Sequence, residues 1–300
     1  MKLSEFDYIL PKELIAQYPV SEREKCRLLV QDRQNSSLCD KIFSDIIGYF
    51  NKGDCIVLND TRVIPARLFG KRASGGKVEL FILEKKWPIL EALVRPSVRI
   101  KEGEEITLES GDSVEVLGRG EIGRFVKFER PIDDVLRDAG HVPLPPYIAR
   151  TDDKSDKETY QTVYSSKDGA TASPTAGLHF TKTLLDELKS KGVSIVYVTL
   201  HTSYGTFAPV KSDDITGHKM HKEYFELSSS AIEEVRKTKE SGAKVFAVGT
   251  TSARVLEYCT DRITGSQYRA GTDMSGYTDL FIFPGYEFKI VDHLITNFHL

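Results

Sequence analysis

A chain of 300 residues, 40% hydrophobic, 10% aromatic and 28% charged, has enough apolar content for buried cores, which excludes a largely disordered protein. At about 150 residues per domain, the length fits two domains or one elaborated one. A net charge of -3 excludes a protein that coats nucleic acid by bulk charge but leaves room for a local basic groove.

Residues 1–65 read as mixed α/β. A short helical turn falls at Leu14-Ile15, a strand at Arg27–Val30, and Phe43–Phe50 carries helical spacing. The turn Gly53-Asp54 leads into the apolar strand Cys55–Leu58, which exits at Asn59-Asp60-Thr61-Arg62. From Ala66 to Phe128 the texture changes to short alternating segments separated by glycine-rich turns: Val78–Leu83, Leu90–Val94, Glu105–Leu108, Ser113–Leu117 and Arg124–Phe128. That spacing predicts a small antiparallel barrel or sandwich. Pro131–Gly140 reads as a short helix, Val142–Pro146 as a rigid extended crossing, and the charged stretch 151–159 as a mobile loop.

Beyond residue 160 the α/β rhythm returns. Thr181 is placed to cap a helix over Lys182–Lys191 that Gly192 stops. Strand Ser194–Leu200 follows, then a helix near Ala231–Ser241, strand Lys244–Val248, a helix from about Ala253, and strands at Leu280–Phe283 and Leu294–Phe298. The expected architecture is an α/β (mixed α+β) main domain from residues 1–65 and 150–300, with a small antiparallel β-barrel domain inserted over 66–149. No run approaches the ~18 apolar residues of a membrane span, and Met1–Pro11 has no signal-peptide core. Cys26, Cys39, Cys55 and Cys259 form no CxxC pair, which points to a reducing, cytoplasmic setting.

Three familiar patterns fail on context. Gly118–Gly123 matches GxGxxG, but a strand follows where a dinucleotide fingerprint needs a helix, so a hairpin turn is expected. Gly75-Gly76-Lys77 lacks the Ser or Thr of a P-loop, because Val78 stands there. Ser252, in Gly249–Ala253, lacks the second glycine of a nucleophile elbow.

Four segments carry chemistry. Gly249-Thr250-Thr251-Ser252 joins a strand to a helix start, where backbone N–H groups, two hydroxyls and Arg254 favour a carboxylate or phosphate; threonines that merely cap the helix are the alternative. His201 stands at the carboxyl end of a buried strand, where α/β sheets place ligands, or else is a structural histidine. His218-Lys219-Met220-His221-Lys222-Glu223-Tyr224 has HxxH spacing without an obvious third metal ligand, so a polar loop or strand contacting substrate is favoured over zinc. Ala172–Thr181 holds Pro174 and Gly177 and presents His179 just before a helix cap.

These segments make the chain recognisable. It resembles the S-adenosylmethionine:tRNA ribosyltransferase-isomerase family of queuosine synthesis, through Asn59–Leu68, Pro143–Ile148, Tyr160–Tyr164, Pro174–Thr181, His218–His221, Val248–Ser252 and Thr296–Leu300. Phe6-Asp7-Tyr8 and Leu14–Gln17 are similar too. The resemblance implies an α/β domain with an inserted barrel. It also implies S-adenosylmethionine (SAM) as co-substrate, no metal, and tRNA bearing 7-aminomethyl-7-deazaguanine at the wobble position as partner. The product would be epoxyqueuosine, with adenine and methionine released. A cytoplasmic monomer is expected. The candidate proton-transfer groups are His201 and His179. The candidate contacts to SAM or tRNA are Asp60, Thr61, Arg62, Thr175, Gly177, His218, Lys219, His221, Gly249, Thr250, Thr251 and Arg254.

Two departures stand out. Ser203, in His201–Gly205, replaces a glycine of the family pattern and removes backbone freedom. The sequence also stops at Leu300, where the family continues with a further helical region, so a fragment or a truncation is expected. Competing readings are a non-catalytic RNA-binding relative and a SAM-dependent transferase acting on another nucleobase.

Overall fold

The computed structural model describes residues 1–83, 88–203 and 212–298. Two motif ends, Tyr204–Phe207 after His201 and His299-Leu300 after Phe298, lie outside the described residues. Contacts divide the chain into two units: Met1–Arg62, Pro146–Arg150 and Thr159–Leu300 in the first, Val63–Pro145 and Thr151–Glu158 in the second.

The chain opens on short 3₁₀ turns, including Lys12–Leu14, and an antiparallel hairpin of β1 (Arg27–Asp32) and β2 (Ser37–Ile42). Every residue of β2 is exposed, so it shows no burial alternation, and the sequence reading missed it. Phe43–Tyr49 is a 3₁₀ helix, not an α-helix. Its two buried side chains, Phe43 and Ile46, are three residues apart and so align on a helix of three residues per turn. β3 (Cys55–Asn59) and β4 (Thr61–Val63) follow.

In the second unit, β5 (Arg67–Arg72), β6 (Lys77–Ile82), β7 (Ile89–Arg95), β8 (Glu105–Leu108), β9 (Ser113–Arg119) and β10 (Arg124–Phe128) close into an antiparallel barrel ordered β10-β7-β6-β5-β8-β9. Closure leaves no free strand edge. The alternating residues Val78, Leu80 and Ile82, Leu90, Ala92 and Val94, and Val114 and Val116 fill its core. Gly118–Gly123 is the β9–β10 hairpin, as expected. Its tip is held by the Glu91 carboxylate, which accepts the N–H groups of Ile122 and Gly123 at 2.6 and 2.7 Å. Helix α1 (Ile132–Ala139) packs Ile132, Val135 and Leu136 into the same core. The charged stretch 151–159 is structured, not a bare loop. Asp152 accepts the Val142 N–H and bonds His141 Nδ1, both at 2.9 Å, and α2 (Asp156–Thr159) buries Asp156.

The remaining elements are β11 (Lys167–Ala170), α3 (Lys182–Ser190), β12 (Ser194–Leu200), β13 (Glu223–Leu227), α4 (Ser229–Glu240), β14 (Val245–Val248), α5 (Gly249–Tyr258), α6 (Thr260–Ile263), β15 (Met274–Thr278) and β16 (His293–Ile295). β11 pairs with β4. Thr181 caps α3 by accepting the Leu184 N–H at 3.1 Å. α5 starts four residues before the expected Ala253, because Gly249 at φ +83° turns strand directly into helix. No strand forms at Leu280–Phe283; the strand there is β15, and the Leu280 carbonyl accepts from Arg254 Nε at 3.0 Å. The expected strand Leu294–Phe298 is cut to β16.

A six-stranded sheet ordered β15-β13-β12-β3-β14-β16 forms the frame of the first unit. β12, β3, β14 and β16 run parallel, while β13 pairs antiparallel with β12, and β15 antiparallel with β13. β3 is buried on both faces. Cys55 and Val57 pack in one core with α4 and α5, and Ile56 and Leu58 in the other with α3 and Phe43–Phe50. That double burial is why its sequence is an unbroken apolar run instead of an alternating one.

Candidate active site

Because β12, β3, β14 and β16 are parallel, His201, Asn59–Thr61, Gly249–Thr251 and Asn297 fall in that order along one edge of the sheet, where open α/β sheets place ligands. The buried Asn59 side chain ties two of these ends together. Its Oδ1 accepts the N–H groups of Leu200 and Thr61 at 3.0 and 3.2 Å, and its Nδ2 donates to the Leu200 carbonyl at 3.0 Å.

His201 is held on several sides. Its N–H donates to the Tyr224 carbonyl at 2.9 Å, and Nδ1 is hydrogen-bonded to Thr61 Oγ1 at 2.8 Å. The ring stacks on Tyr224 with centroids 5.9 Å apart and planes 20° apart. Gly169 of β11 packs against the same ring: a Cβ there would lie 2.8–2.9 Å from Cε1, Nε2 and Cδ2. Among the described residues, Nε2 has no hydrogen-bond partner. Burial pushes the imidazole below its usual 6.5; Glu226 and Asp60 act in the opposite sense, and Lys167 adds to the lowering. Glu226 is itself held by the Lys167 ammonium and by Tyr224 OH at 3.2 Å.

Asp60 is buried, and its carboxylate accepts the hydroxyls of Thr199 at 2.7 Å and Ser166 at 2.9 Å. It supports the turn after β3 and forms no ion pair with Arg62 among the described residues. Arg62 is exposed, donates to the Ser165 carbonyl at 2.8 Å and lies 3.9 Å from Asp168.

His179 ends a 3₁₀ turn, Thr175–His179. Its Nε2 bonds Asn297 Oδ1 at 3.1 Å, its ring tilts against Phe43, and burial lowers its pKa as well. Asn297 follows β16, three strand spacings, or about 14 Å, from β12. The two histidines therefore serve different ends of the edge. Arg23 clamps the same turn by donating to the carbonyls of Gln161 and Leu178 at 2.8 and 2.9 Å. Gly177 is pressed against the Tyr164 hydroxyl, so no larger residue fits there.

The amino end of α5 has no side-chain cap. Thr250 is exposed, while the Thr251 hydroxyl is buried beside Gly249 without a hydrogen-bond partner among the described residues. Arg254 does not join this turn as expected. It lies one and a half helical turns further on, buried, with its guanidinium ion-paired to Glu223 and donating to the Thr278 and Leu280 carbonyls. His218–Lys222 is not helical, so the HxxH spacing does not put two ligands on one helix face. The segment leads into β13 beside the carboxyl end of β12; His218 meets Phe281, while Lys219 and His221 are exposed. Among the described residues, no group of three or more His, Cys, Asp or Glu is arranged to hold a metal ion.

Ser203 carries no strain. Ser36 is the one non-glycine residue at positive φ among those described, so the position that the family pattern fills with glycine is in an ordinary conformation here. The sequence reading did not single out Gly169 or Glu226, and it placed Glu223 and Tyr224 only in a segment contacting substrate. Strand pairing brings Tyr224 to His201.

An edge of parallel strand ends that carries two histidines and a helix start, in a chain whose other unit is a closed barrel, defines a class of α/β enzymes with an inserted β-barrel. A family model described as queuosine biosynthesis protein matches residues 3–300, and the chain belongs to that family. It is 49% identical over 303 residues to the S-adenosylmethionine:tRNA ribosyltransferase-isomerase of Sulfurihydrogenibium sp. (strain YO3AOP1), covering all of this chain and 88% of that protein. The enzyme of that name from Acetivibrio thermocellus is 48% identical over 306 residues, with the same coverage. Among solved structures, the crystal structure of S-adenosylmethionine tRNA ribosyltransferase from Thermotoga maritima matches with a TM-score of 0.51 and 34% identity, over 99% of this chain and 85% of that one.

The low pKa values carry a pH prediction. His201 and His179 both titrate below 6.5, so each stays neutral in the folded protein at pH values where an unfolded chain has begun to take up protons. Their effect on stability is therefore absent above pH 6.5. Below 6.5 it turns destabilising as the pH falls towards the folded-state values. Urea midpoints should begin to fall below pH 6.5; with His201 or His179 as the essential base, the acid limb of the kcat/KM profile is expected below 6.5 too, and a limb above it counts against that assignment.

Proposed function

We propose that the chain transfers and isomerises the ribosyl part of SAM onto 7-aminomethyl-7-deazaguanine at the wobble position of tRNA, giving epoxyqueuosine and releasing adenine and methionine. Membership of the family supports the reaction, and the observation that carries the site is the neutral His201 held at the sheet edge by Thr61, Tyr224 and Gly169.

The sulfonium of SAM acidifies the adjacent C5′ protons, so the reaction needs a base, an acid for departing adenine, and donors for the oxyanions of the opened sugar. In this reading His201 moves a proton through Nε2, while Thr61 holds the ring by its bond to Nδ1. His179, oriented by Asn297, is the second proton-transfer group. The free N–H groups at Gly249–Thr251 and the Thr251 hydroxyl take the methionyl carboxylate of SAM. Arg62, Lys219 and His221 face tRNA. The first unit carries SAM and the chemistry, and the protein works as a cytoplasmic monomer. Among the described residues no helix is long and apolar enough to cross a membrane.

Incubation with SAM and precursor-bearing tRNA, followed by mass spectrometry, tests the reaction. Epoxyqueuosine, adenine and methionine are expected in equal amounts. S-adenosylhomocysteine would identify a methyltransferase instead, and tRNA binding without SAM consumption a non-catalytic relative. For the carboxylate subsite, Thr251→Val keeps the shape and removes a hydroxyl that has no partner among the described residues. It should leave stability unchanged and raise the KM for SAM about tenfold, the usual worth of a hydrogen bond to a charged group. An unchanged KM rules out that role.

A further inference from the structure

The pair Arg254–Glu223 is among the most buried charge in the first unit, with side chains 10% and 2% exposed. An ion pair so far from water is a poor source of stability, because two charges lose their hydration to form it, and apolar replacement is often neutral. Its connections are more informative than its energy.

Glu223 opens β13, whose next residue, Tyr224, accepts the His201 N–H and stacks on the His201 ring. Two residues further along, the antiparallel ladder would have the Ser203 N–H donate to a backbone carbonyl. It donates instead to Glu223 Oε1 at 3.1 Å. A side-chain carboxylate thus takes over from the ladder at the point where the His201 segment leaves the sheet. The other carboxylate oxygen takes the guanidinium of Arg254, which belongs to α5, the helix whose amino end lies on the same edge. The remaining Arg254 donors reach the Thr278 and Leu280 carbonyls at 3.4 and 3.0 Å, at the end of β15. One buried carboxylate therefore ties the loop after His201 to α5, and through it to β15.

We propose that Glu223, oriented by Arg254, is a positioning residue that fixes the backbone just after His201 and so sets the direction of its imidazole. This rests on the reading of His201 as a proton-transfer group. The Glu223 carboxylate touches no reacting atom and acts on His201 through the backbone, at the Ser203 N–H.

The test uses the double variant Glu223→Leu/Arg254→Met in the full chain, with Glu223→Gln alongside it. The double variant removes both charges, so its Tm should stay close to that of the parent, whereas either charge alone would be left unpaired. Glu223→Gln keeps an acceptor for Ser203 but leaves Arg254 without its counter-charge. The measurements are kcat, KM for SAM, and the His201 Cε1–H resonance across pH. The expected result for the double variant is kcat lowered at least tenfold, KM changed less than threefold, and a shifted or broadened His201 resonance. Glu223→Gln should retain more kcat than the double variant while melting lower. A parental kcat with a parental resonance overturns the proposal, as does a lowered kcat with an unmoved resonance. A moved resonance at parental kcat supports the positioning and removes His201 from the chemistry, so the two readings fail separately. If the double variant does not fold, Ser203→Pro, which removes the bonded N–H and leaves the ion pair in place, is read by the same resonance, and an unmoved signal overturns the proposal.

Discussion

His201→Ala is expected to lower kcat by about 10²–10⁴-fold, the usual worth of a positioned proton-transfer group. The KM for SAM should change little, because the bonds of His201 are to Thr61 and the backbone of β13, not to the helix start assigned to the methionyl carboxylate. The imidazole suits a base because burial keeps it neutral and Thr61 occupies one ring nitrogen, directing the other to substrate. Folding should survive, since the ring is only half-buried and packs mainly against Tyr224 and Gly169. A variant that keeps parental kcat with precursor tRNA would end the assignment, and His179 would be left to carry the proton.

Gly169→Ala should cost about 10²-fold in kcat, close to the penalty for displacing a reacting group by an ångström. A methyl at this position meets three ring atoms of His201 at 2.8–2.9 Å, closer than van der Waals contact allows, so the ring must shift from the place its bond to Thr61 gives it. The backbone there, at φ +153°, adds a small strain of its own. Because Gly169 acts only through that ring, the double variant with His201→Ala should be no slower than His201→Ala alone. Multiplicative losses in kcat would show a separate role for β11, and near-parental kcat in Gly169→Ala would show that the ring has room to spare.

Much of this was readable before the structure. Cys55–Leu58, Ser194–Leu200 and Val245–Val248 are apolar runs of strand length, and each is a buried parallel strand in the frame. The alternating segments between residues 78 and 128 named the barrel, because one face of each strand had to be filled. His201 was visible because it follows such a run. Its surroundings were not. Gly169 sits in Lys167–Ala170, which reads as a charged turn, and Tyr224 and Glu223 sit in a strand whose alternation of buried and half-buried residues is hard to see from type alone. Pairing across 22 to 32 residues of chain brings them to the histidine, and no local pattern encodes that distance. Arg254 was misplaced for the same reason: in the sequence it follows the threonines, but on a helix that begins at Gly249 its partners lie on β13 and beyond β15.

The strand beneath the reacting groups belongs to two cores at once, and that has a kinetic meaning. Amide hydrogens of β3 can reach solvent only when both packed layers open together, so they should exchange with deuterium on the timescale of global unfolding. Those of the exposed β1–β2 hairpin should exchange through local fraying, well before it. Heating would then silence the enzyme and melt the unit at one temperature, with no range in which a folded protein has lost its site.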